Sequence, residues 1–357
     1  MKTIESNSNK IHFNLSAYQH VNAHIENSNP SNIFILVDEN THELCLPHLL
    51  AEIKTTKTIE IVEIESGEIN KTIETCVGVW NVLSELGGDR KSLVINLGGG
   101  VITDLGGFVA STFKRGISFI NIPTTLLSMV DASVGGKTGV DLGNLKNQIG
   151  VINTPEMVII DTTYLKTLPQ NEMRSGLAEM LKHGLIQDKA YWDKFKDLSL
   201  LHTEHLDQLI YESVLIKKHV VDIDPREDGL RKTLNFGHTI GHAIESYFLT
   251  NSYKTTLLHG EAIAIGMILA AYISTKLTGL SEAENNEIKN VINSIYDFVS
   301  INEEDYEPII DLLKYDKKNS HGNINFVLLS AIGETKIDCL VPNDLIIEAL
   351  KFYNDSY

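Results

Sequence analysis

Between residues 33 and 161, five short runs rich in β-branched residues (IFILVDE, TIEIVEI, SLVINL, ISFINIP and MVIID) are separated by stretches long enough for a helix. The clearest of these stretches, INKTIETCVGVWNVLSELGG at 69–88, closes on Gly87 and Gly88 as a helix C-cap does. Strands that alternate with helical crossovers pair in parallel, so this part is expected to fold as an α/β domain with a doubly wound, Rossmann-like sheet. After LKTLPQNEM, where Pro169 and an amide-rich turn interrupt, the apolar period becomes helical through about residue 315. The expected organisation is an α/β domain over 1–165 followed by a mostly α-helical domain over 166–357. Near the end, NINFVLLSAIGE reads as a strand and turn, and PNDLIIEALKFY as a last helix starting near Asn343 or Asp344.

Size and charge narrow the function. At 357 residues the chain exceeds what one core usually supports, which agrees with two domains. A formal charge of -17 argues against nucleic acid, so an anionic substrate must meet locally concentrated cations. No apolar run approaches the ~20 residues of a membrane helix, and the start, MKTIESNSNK, lacks the apolar core of a secretory signal; a cytoplasmic location is expected. Cys45, Cys76 and Cys339 are odd in number and far apart, as reduced packing residues are.

In VINLGGGVITDLGGF three glycines follow a strand and precede a helix, where backbone amides can approach a pyrophosphate. Counting GxGxxG from Gly98 puts Thr103 at the third glycine, so the usual fingerprint is not met, and a tight turn needing glycine only for packing explains the run as well. Further on, PTTLLSMVDASVGGKTGVDLGNLKNQIG sets Asp131, Lys137, Lys146 and Asn147 among glycines and small polar residues, as a ligand-holding loop does.

LNFGHTIGHAIE carries His238 and His242 four residues apart, on one face if the stretch is helical. Such a pair suits a metal, but in isolation it is more often two core histidines satisfied by carbonyls, so the context decides. Two imidazoles commonly take a carboxylate as third ligand. Glu179, which shares a helical face with Lys182, and His259, which opens HGEAIAIGM, make Glu179, His238 and His259 a plausible triad. Glu227, Arg231, Asn235, His238 and His242 recur every three or four residues, so a continuous helix here carries a polar stripe facing a site. Asp224 to Glu227 also reads as a capping box.

These residues resemble the 3-dehydroquinate synthases, a family of sugar phosphate cyclases. The matching motifs are SGEINK (66–71), GGGVITD, IPTTLLSMVDASVGGKT, LKNQIG, YLKTLP, SGLAEMLKHG, GLRKTLNFGHTIGHAIE, LHGEA and DKK (316–318). The resemblance implies an active site in the cleft between the domains, with zinc or cobalt on Glu179, His238 and His259. It implies NAD on Asp38, on Ser66, Gly67, Glu68 and Lys71, on Gly100, Val101, Ile102, Thr103 and Asp104, and on Thr124 and Thr125. Lys137, Lys146, Tyr164, Leu165, Lys166 and Thr167 join them. Substrate carboxylate falls to Lys217 and Arg231, whose planar fork suits it. Phosphate falls to Lys137, Asn147, Asn235, His242 and one lysine of the DKK run, Lys317. Asp131, Lys182 and Glu227 complete the catalytic set, and Arg115 reaches in from a second subunit, implying a homodimer.

The implied reaction converts 3-deoxy-D-arabino-heptulosonate 7-phosphate to 3-dehydroquinate and phosphate, with NAD used but not consumed. An oxidised C5 acidifies the C6 proton, phosphate leaves by β-elimination, the hydride returns, and aldol closure follows. Other sugar phosphate cyclases, whose substrates carry no carboxylate, have no need of Lys217 and Arg231. A metal-dependent glycerol or alcohol dehydrogenase has no need of the phosphate-binding lysines. The chain departs from the family at Leu145, commonly glycine, at His183, commonly tyrosine, and in a longer segment between His242 and His259, where a differently shaped loop is expected.

Overall fold

The computed structural model describes residues 1–6, 9–143, 145–201, 203–313 and 324–355. Lys317 and the rest of the DKK run lie outside them. The chain divides into two units, residues 1–169 and 170–357.

The first unit contains β1 (Ile4–Glu5), β2 (Lys10–Phe13), β3 (Ile33–Asp38), β4 (Ile59–Ile64), β5 (Leu93–Gly98), β6 (Ser118–Pro123), β7 (Lys137–Leu142), β8 (Leu145–Ile152) and β9 (Met157–Ile160). Its helices are α1 (Tyr18–Ser28), α2 (Glu39–Leu44), α3 (Leu46–Glu52), α4 (Ile73–Glu85) and α5 (Gly100–Thr112). Among the described residues, one sheet of seven strands runs β1-β2-β9-β6-β5-β3-β4, parallel except for the β1/β2 pair. All five expected strands belong to it. An inner strand, β5, is buried at every residue, as a strand covered on both faces must be.

The winding reverses between β3 and β5, because β4 lies on one side of β3 and the later strands on the other. Doubly wound sheets leave a ligand crevice outside the carboxyl ends of the strands at such a reversal. Here those ends are Asp38 and Gly98.

Two local expectations change in this unit. The helix expected over 69–88 begins only at Ile73: Glu68–Asn70 form a separate 3-10 turn, and Thr72 caps α4 by accepting the Thr75 N–H at 3.2 Å. Gly87, at φ +78°, ends it. The segment expected as a loop over 123–150 contains a hairpin, β7 with β8. Gly139 and Gly150 allow that close pairing, because a Cβ on either would stand 2.5 or 2.3 Å from the facing carbonyl oxygen.

The second unit contains α6 (Gln170–Gln187), α7 (Lys189–Asp193), α8 (Thr203–Ile223), α9 (His238–Thr250), α10 (His259–Leu277), α11 (Glu282–Asn293), α12 (Glu303–Leu313), β10 (Asn325–Ala331), β11 (Glu334–Leu340) and α13 (Asn343–Asn354). The amide-rich turn expected after Pro169 is instead the first turn of α6, which proline can precede without losing a helical bond. The expected strand near residue 325 pairs with β11 in an antiparallel hairpin. Helix α10 packs against α6, α9, α11, α13 and β10. By length and composition it is apolar enough to cross a membrane, contrary to expectation, yet it is mostly buried within this unit.

Candidate active site

In the first unit the three glycines sit where β5 passes into α5. No side chain caps α5, and its first internal bond is Thr103 N–H to the Gly99 carbonyl at 3.0 Å. The N–H groups of Gly100, Val101 and Ile102 therefore precede the helical ladder and are available to an anion. A Cβ on Gly99 would lie 2.9 Å from the Thr125 methyl, so a side chain there would displace Thr125. Thr103 is buried and directs its hydroxyl to the carbonyls of Gly99 and Gly100, both at 3.2 Å. The close helix–strand approach usually given by the third glycine occurs three residues later. A Cβ on Gly106 would stand 2.0 Å from Asn96 Oδ1 and 2.8 Å from Leu36.

Around this turn the expected nucleotide residues gather by hydrogen bonds. Asp38 ends β3 and accepts the Thr41 N–H at 2.8 Å, which orients its carboxylate at the crevice. Glu39, which the sequence reasoning missed, accepts both the Ser66 N–H (2.7 Å) and hydroxyl (2.6 Å), and so fixes the start of SGEINK. Gly67 adopts φ +99°, a conformation side chains resist. Lys71 is 3% exposed and joins Asp104 Oδ2 at 2.8 Å to Asn147 Oδ1 at 2.7 Å. Burial alone would lower its pKa, but the carboxylates of Asp104, Glu68 and Asp141 outweigh this and hold it above its ordinary value. Thr124 N–H donates to the Gly98 carbonyl at 3.0 Å, and Thr125 Oγ1 accepts the Ser128 N–H at 3.1 Å.

Asp131 lies in a one-turn π-helix, Ser128–Ala132, and Lys137 and Lys146 in the β7–β8 hairpin. Tyr164, Leu165, Lys166 and Thr167 share a 3-10 turn, with Lys166 and Thr167 exposed. The Tyr164 phenol is committed to a buried network with Tyr18 (2.9 Å), whose hydroxyl donates to Asp161 (3.0 Å). Arg115 is exposed in a run of three left-handed residues, Lys114 (φ 51°), Arg115 (φ 71°) and Gly116 (φ 110°).

In the second unit three helices supply one group each. Glu179, 1% exposed on α6, has Oε2 in an ion pair with Lys182 and Oε1 3.2 Å from His238 Nε2 and 3.7 Å from His259 Nε2. Neither oxygen makes a hydrogen bond of ordinary geometry. Glycines bring the helices this close. A Cβ on Gly260 would stand 2.2 Å from the Ser175 carbonyl oxygen, one on Gly266 2.1 Å from that of Gly237, and one on Gly241 3.0 Å from that of Ala262.

The electrostatics follow from this crowding. Burial would raise the Glu179 pKa, but Lys182 and His238 hold it well below the usual carboxylate range. His238 is lowered by burial and by the Lys182 charge. For His259 desolvation is outweighed by Glu179 and Glu245, and it is pushed up to about 9. His242 joins the cluster: one ring nitrogen each from His238, His242 and His259 lie within 4.8 Å of one another. A buried carboxylate without ordinary hydrogen bonds, facing imidazoles, is a nitrogen and oxygen donor set that fits zinc or cobalt.

The continuous polar helix expected from Glu227 to His242 does not form. Leu230–Asn235 is a 3-10 turn, the chain breaks at Gly237 (φ +77°), and α9 starts at His238. The capping box read at Asp224–Glu227 does not form either: residues 224–229 are not helical and the 3-10 turn after them has no side-chain cap, while the Asp224 carboxylate holds the connecting turn by accepting the N–H groups of Asp228, Gly229 and Arg231 at 2.7–3.1 Å. Even so, Asn235 donates to Glu227 Oε1 at 2.7 Å, and Arg231 donates to the Pro225 carbonyl at 2.8 Å. Lys217 and Arg231 are each 4% exposed, unusual burial for cations.

Residues 61–175 match the N-terminal model, and 176–319 the C-terminal model, of 3-dehydroquinate synthase. The 3-dehydroquinate synthase of Parabacteroides distasonis is 42% identical over 327 residues, covering 91% of this chain and 92% of that one. The chain belongs to the 3-dehydroquinate synthase family. Solved structures with the same fold include a 2-deoxy-scyllo-inosose synthase complexed with carbaglucose-6-phosphate, NAD+ and Co2+ (TM-score 0.87, 24% identity, 98% and 100% coverage). Another is the 2-epi-5-epi-valiolone synthase of Streptomyces hygroscopicus with NAD+ and Zn2+ bound (TM-score 0.85, 25% identity, 100% and 99% coverage).

The departures from the 3-dehydroquinate synthase pattern acquire structural partners. His183 is buried and bonds Ser213 of α8 at 2.8 Å. The segment between His242 and His259 is the last part of α9 and a turn pinned by Asp305, which is 1% exposed, pairs with Lys254 and accepts the Tyr247 hydroxyl at 2.7 Å.

Proposed function

We propose that this member of the family is a working 3-dehydroquinate synthase, an NAD- and metal-dependent phosphate-eliminating lyase acting on 3-deoxy-D-arabino-heptulosonate 7-phosphate. The observation that carries the residue assignment is Glu179, a buried carboxylate facing His238 and His259 within a family match over 61–319. NAD supplies a hydride acceptor that is restored each turnover, and a divalent metal on Glu179, His238 and His259 supplies a Lewis acid.

The chain's own residues do the rest. The uncapped first turn of α5 holds the pyrophosphate through Gly100, Val101 and Ile102 N–H groups, while Asp38 and Ser66 to Lys71 flank it. Lys217 and Arg231 bind the substrate carboxylate; desolvated by burial, their charges act with little screening. Lys137, Asn147, Asn235 and His242 take the phosphate, and Glu227 orients Asn235 by accepting its amide N–H. Lys182 neutralises Glu179 in its buried setting, and Asp131 and Lys146 are assigned to the ligand-holding segment of the first unit. Arg115 is assigned to the site of a second copy in a homodimer, and the cytoplasm is the proposed compartment.

The test is turnover with sub-stoichiometric NAD, following phosphate and 3-dehydroquinate, with glucose 6-phosphate and sedoheptulose 7-phosphate in parallel. Many turnovers per NAD on the keto acid alone support the reading. Turnover confined to a substrate without a carboxylate refutes the roles of Lys217 and Arg231, and stoichiometric NADH refutes the lyase.

A further inference from the structure

We infer that Glu245 is a positioning residue of the metal centre: its carboxylate accepts the Nδ1–H of His259 and so leaves Nε2 to face Glu179. The inference rests on the reading of Glu179, His238 and His259 as ligands. Glu245 lies on α9 and is itself 7% exposed on a helix whose Ile240, Gly241, Ala243, Ile244 and Phe248 are also buried. A carboxylate in such surroundings is unfavourable unless a donor faces it. Its Oε2 lies 3.4 Å from His259 Nδ1.

The two ligand histidines show one arrangement built from different acceptors. His238 turns Nδ1 to the Phe236 carbonyl at 3.1 Å and Nε2 to Glu179 Oε1 at 3.2 Å. His259 turns Nδ1 to Glu245 at 3.4 Å and Nε2 to the same Glu179 oxygen at 3.7 Å. A neutral imidazole carries one hydrogen and one lone pair, so an oxygen acceptor at Nδ1 places the hydrogen there and the lone pair on Nε2. In His238 the acceptor is backbone and always present. In His259, whose side chain is 26% exposed against 11% for His238, the acceptor is a side chain that substitution can remove. Histidines that bind metals generally donate their other N–H in this way, and loss of the outer partner weakens metal binding about 10- to 100-fold.

The experiment titrates metal-stripped full-length protein with Zn2+ against a competing chelator. Glu245→Leu fills the same space without an acceptor; Glu245→Gln keeps an acceptor oxygen. Glu245→Leu is expected to weaken the apparent Kd about 10- to 100-fold, and Glu245→Gln to recover most of that loss. Equal losses in the two variants, or a Glu245→Leu value matching the unsubstituted protein, overturns the inference. Should Glu245→Leu fail to fold, 15N shifts of the His259 ring in the unsubstituted, zinc-loaded protein decide: zinc on Nε2 with a protonated Nδ1 is expected, and zinc on Nδ1 overturns it. Failure of the unsubstituted protein to bind zinc at all refutes the ligand reading instead, and is distinguishable by that control.

Discussion

Gly260→Ala probes the contact that brings α10 to α6. The added Cβ would stand 2.2 Å from the Ser175 carbonyl oxygen, 2.4 Å from its Cα and 2.6 Å from its carbonyl carbon. All three are backbone atoms, so no flexible side chain can yield, and restoring ordinary contact requires the start of α10 to move by roughly 1 Å, given carbon–oxygen contacts of about 3.3 Å. That movement strains the bond from Gly260 N–H to Ser175 Oγ, now 3.0 Å. Overpacking of this kind costs about 1–3 kcal/mol, and a weakened buried hydrogen bond about 1 kcal/mol more. The expected loss is therefore about 2–4 kcal/mol in urea unfolding of the metal-free protein. His259 adjoins Gly260, and ligand distances in metal sites tolerate only about 0.2 Å, so zinc affinity should fall at least about tenfold. Gly78→Ala is the control: it is exposed in α4, nothing lies within 4 Å of its Cβ position, and about 0.5–1 kcal/mol of stabilisation is expected. A Gly260→Ala protein with unchanged unfolding midpoint and zinc affinity would show that the helices can separate freely, and would refute the reasoning.

His238→Ala should lose zinc and activity together, whereas His242→Ala should retain zinc, measured by elemental analysis, while turnover falls; loss of zinc in both would make His242 a ligand. Arg231→Ala should raise the KM for the keto acid phosphate at least about tenfold, as expected for a lost charge-assisted contact, with NAD affinity by calorimetry nearly unchanged. In the metal-free protein His259 has its pKa raised from 6.5 to about 9, so its protonation contributes stability fully below about pH 6.5 and loses it as pH rises through about 9. Urea midpoints of the unsubstituted protein and His259→Gln should therefore converge over that interval, and parallel curves would contradict the shift. Glu179 has the opposite sign: its depressed pKa contributes stability above the usual carboxylate range that is lost on acidification, so Glu179→Gln should flatten the acid limb of the same profile.

Much of the architecture was legible because it is local. β3, β5 and β6 are near-continuous apolar runs, and the glycines between β5 and α5 announce a strand that turns into a helix. The identities of His238, His259 and Glu179 were legible through their motifs. Other local inferences failed where a single backbone torsion intervened: Gly237, at φ +77°, ends the polar stripe, and nothing in an apolar period records such a break. β1, β2 and β11 escaped notice because two are very short and the third alternates without a strongly apolar face.

Sequence alone determined the five parallel strands, the glycine turn into α5 and a set of candidate side chains, since periodicity and glycine position act over a few residues. Tertiary structure decided which of those side chains meet. Glu179 and His259 are far apart along the chain, and their approach depends on Gly260 lying against Ser175, a contact between backbones that no local pattern encodes. It likewise moved the close-packing glycine of the nucleotide turn from Thr103 to Gly106, and set Glu245 against His259. Such pairings follow from how closely two helices can pack, which is a property of both surfaces together.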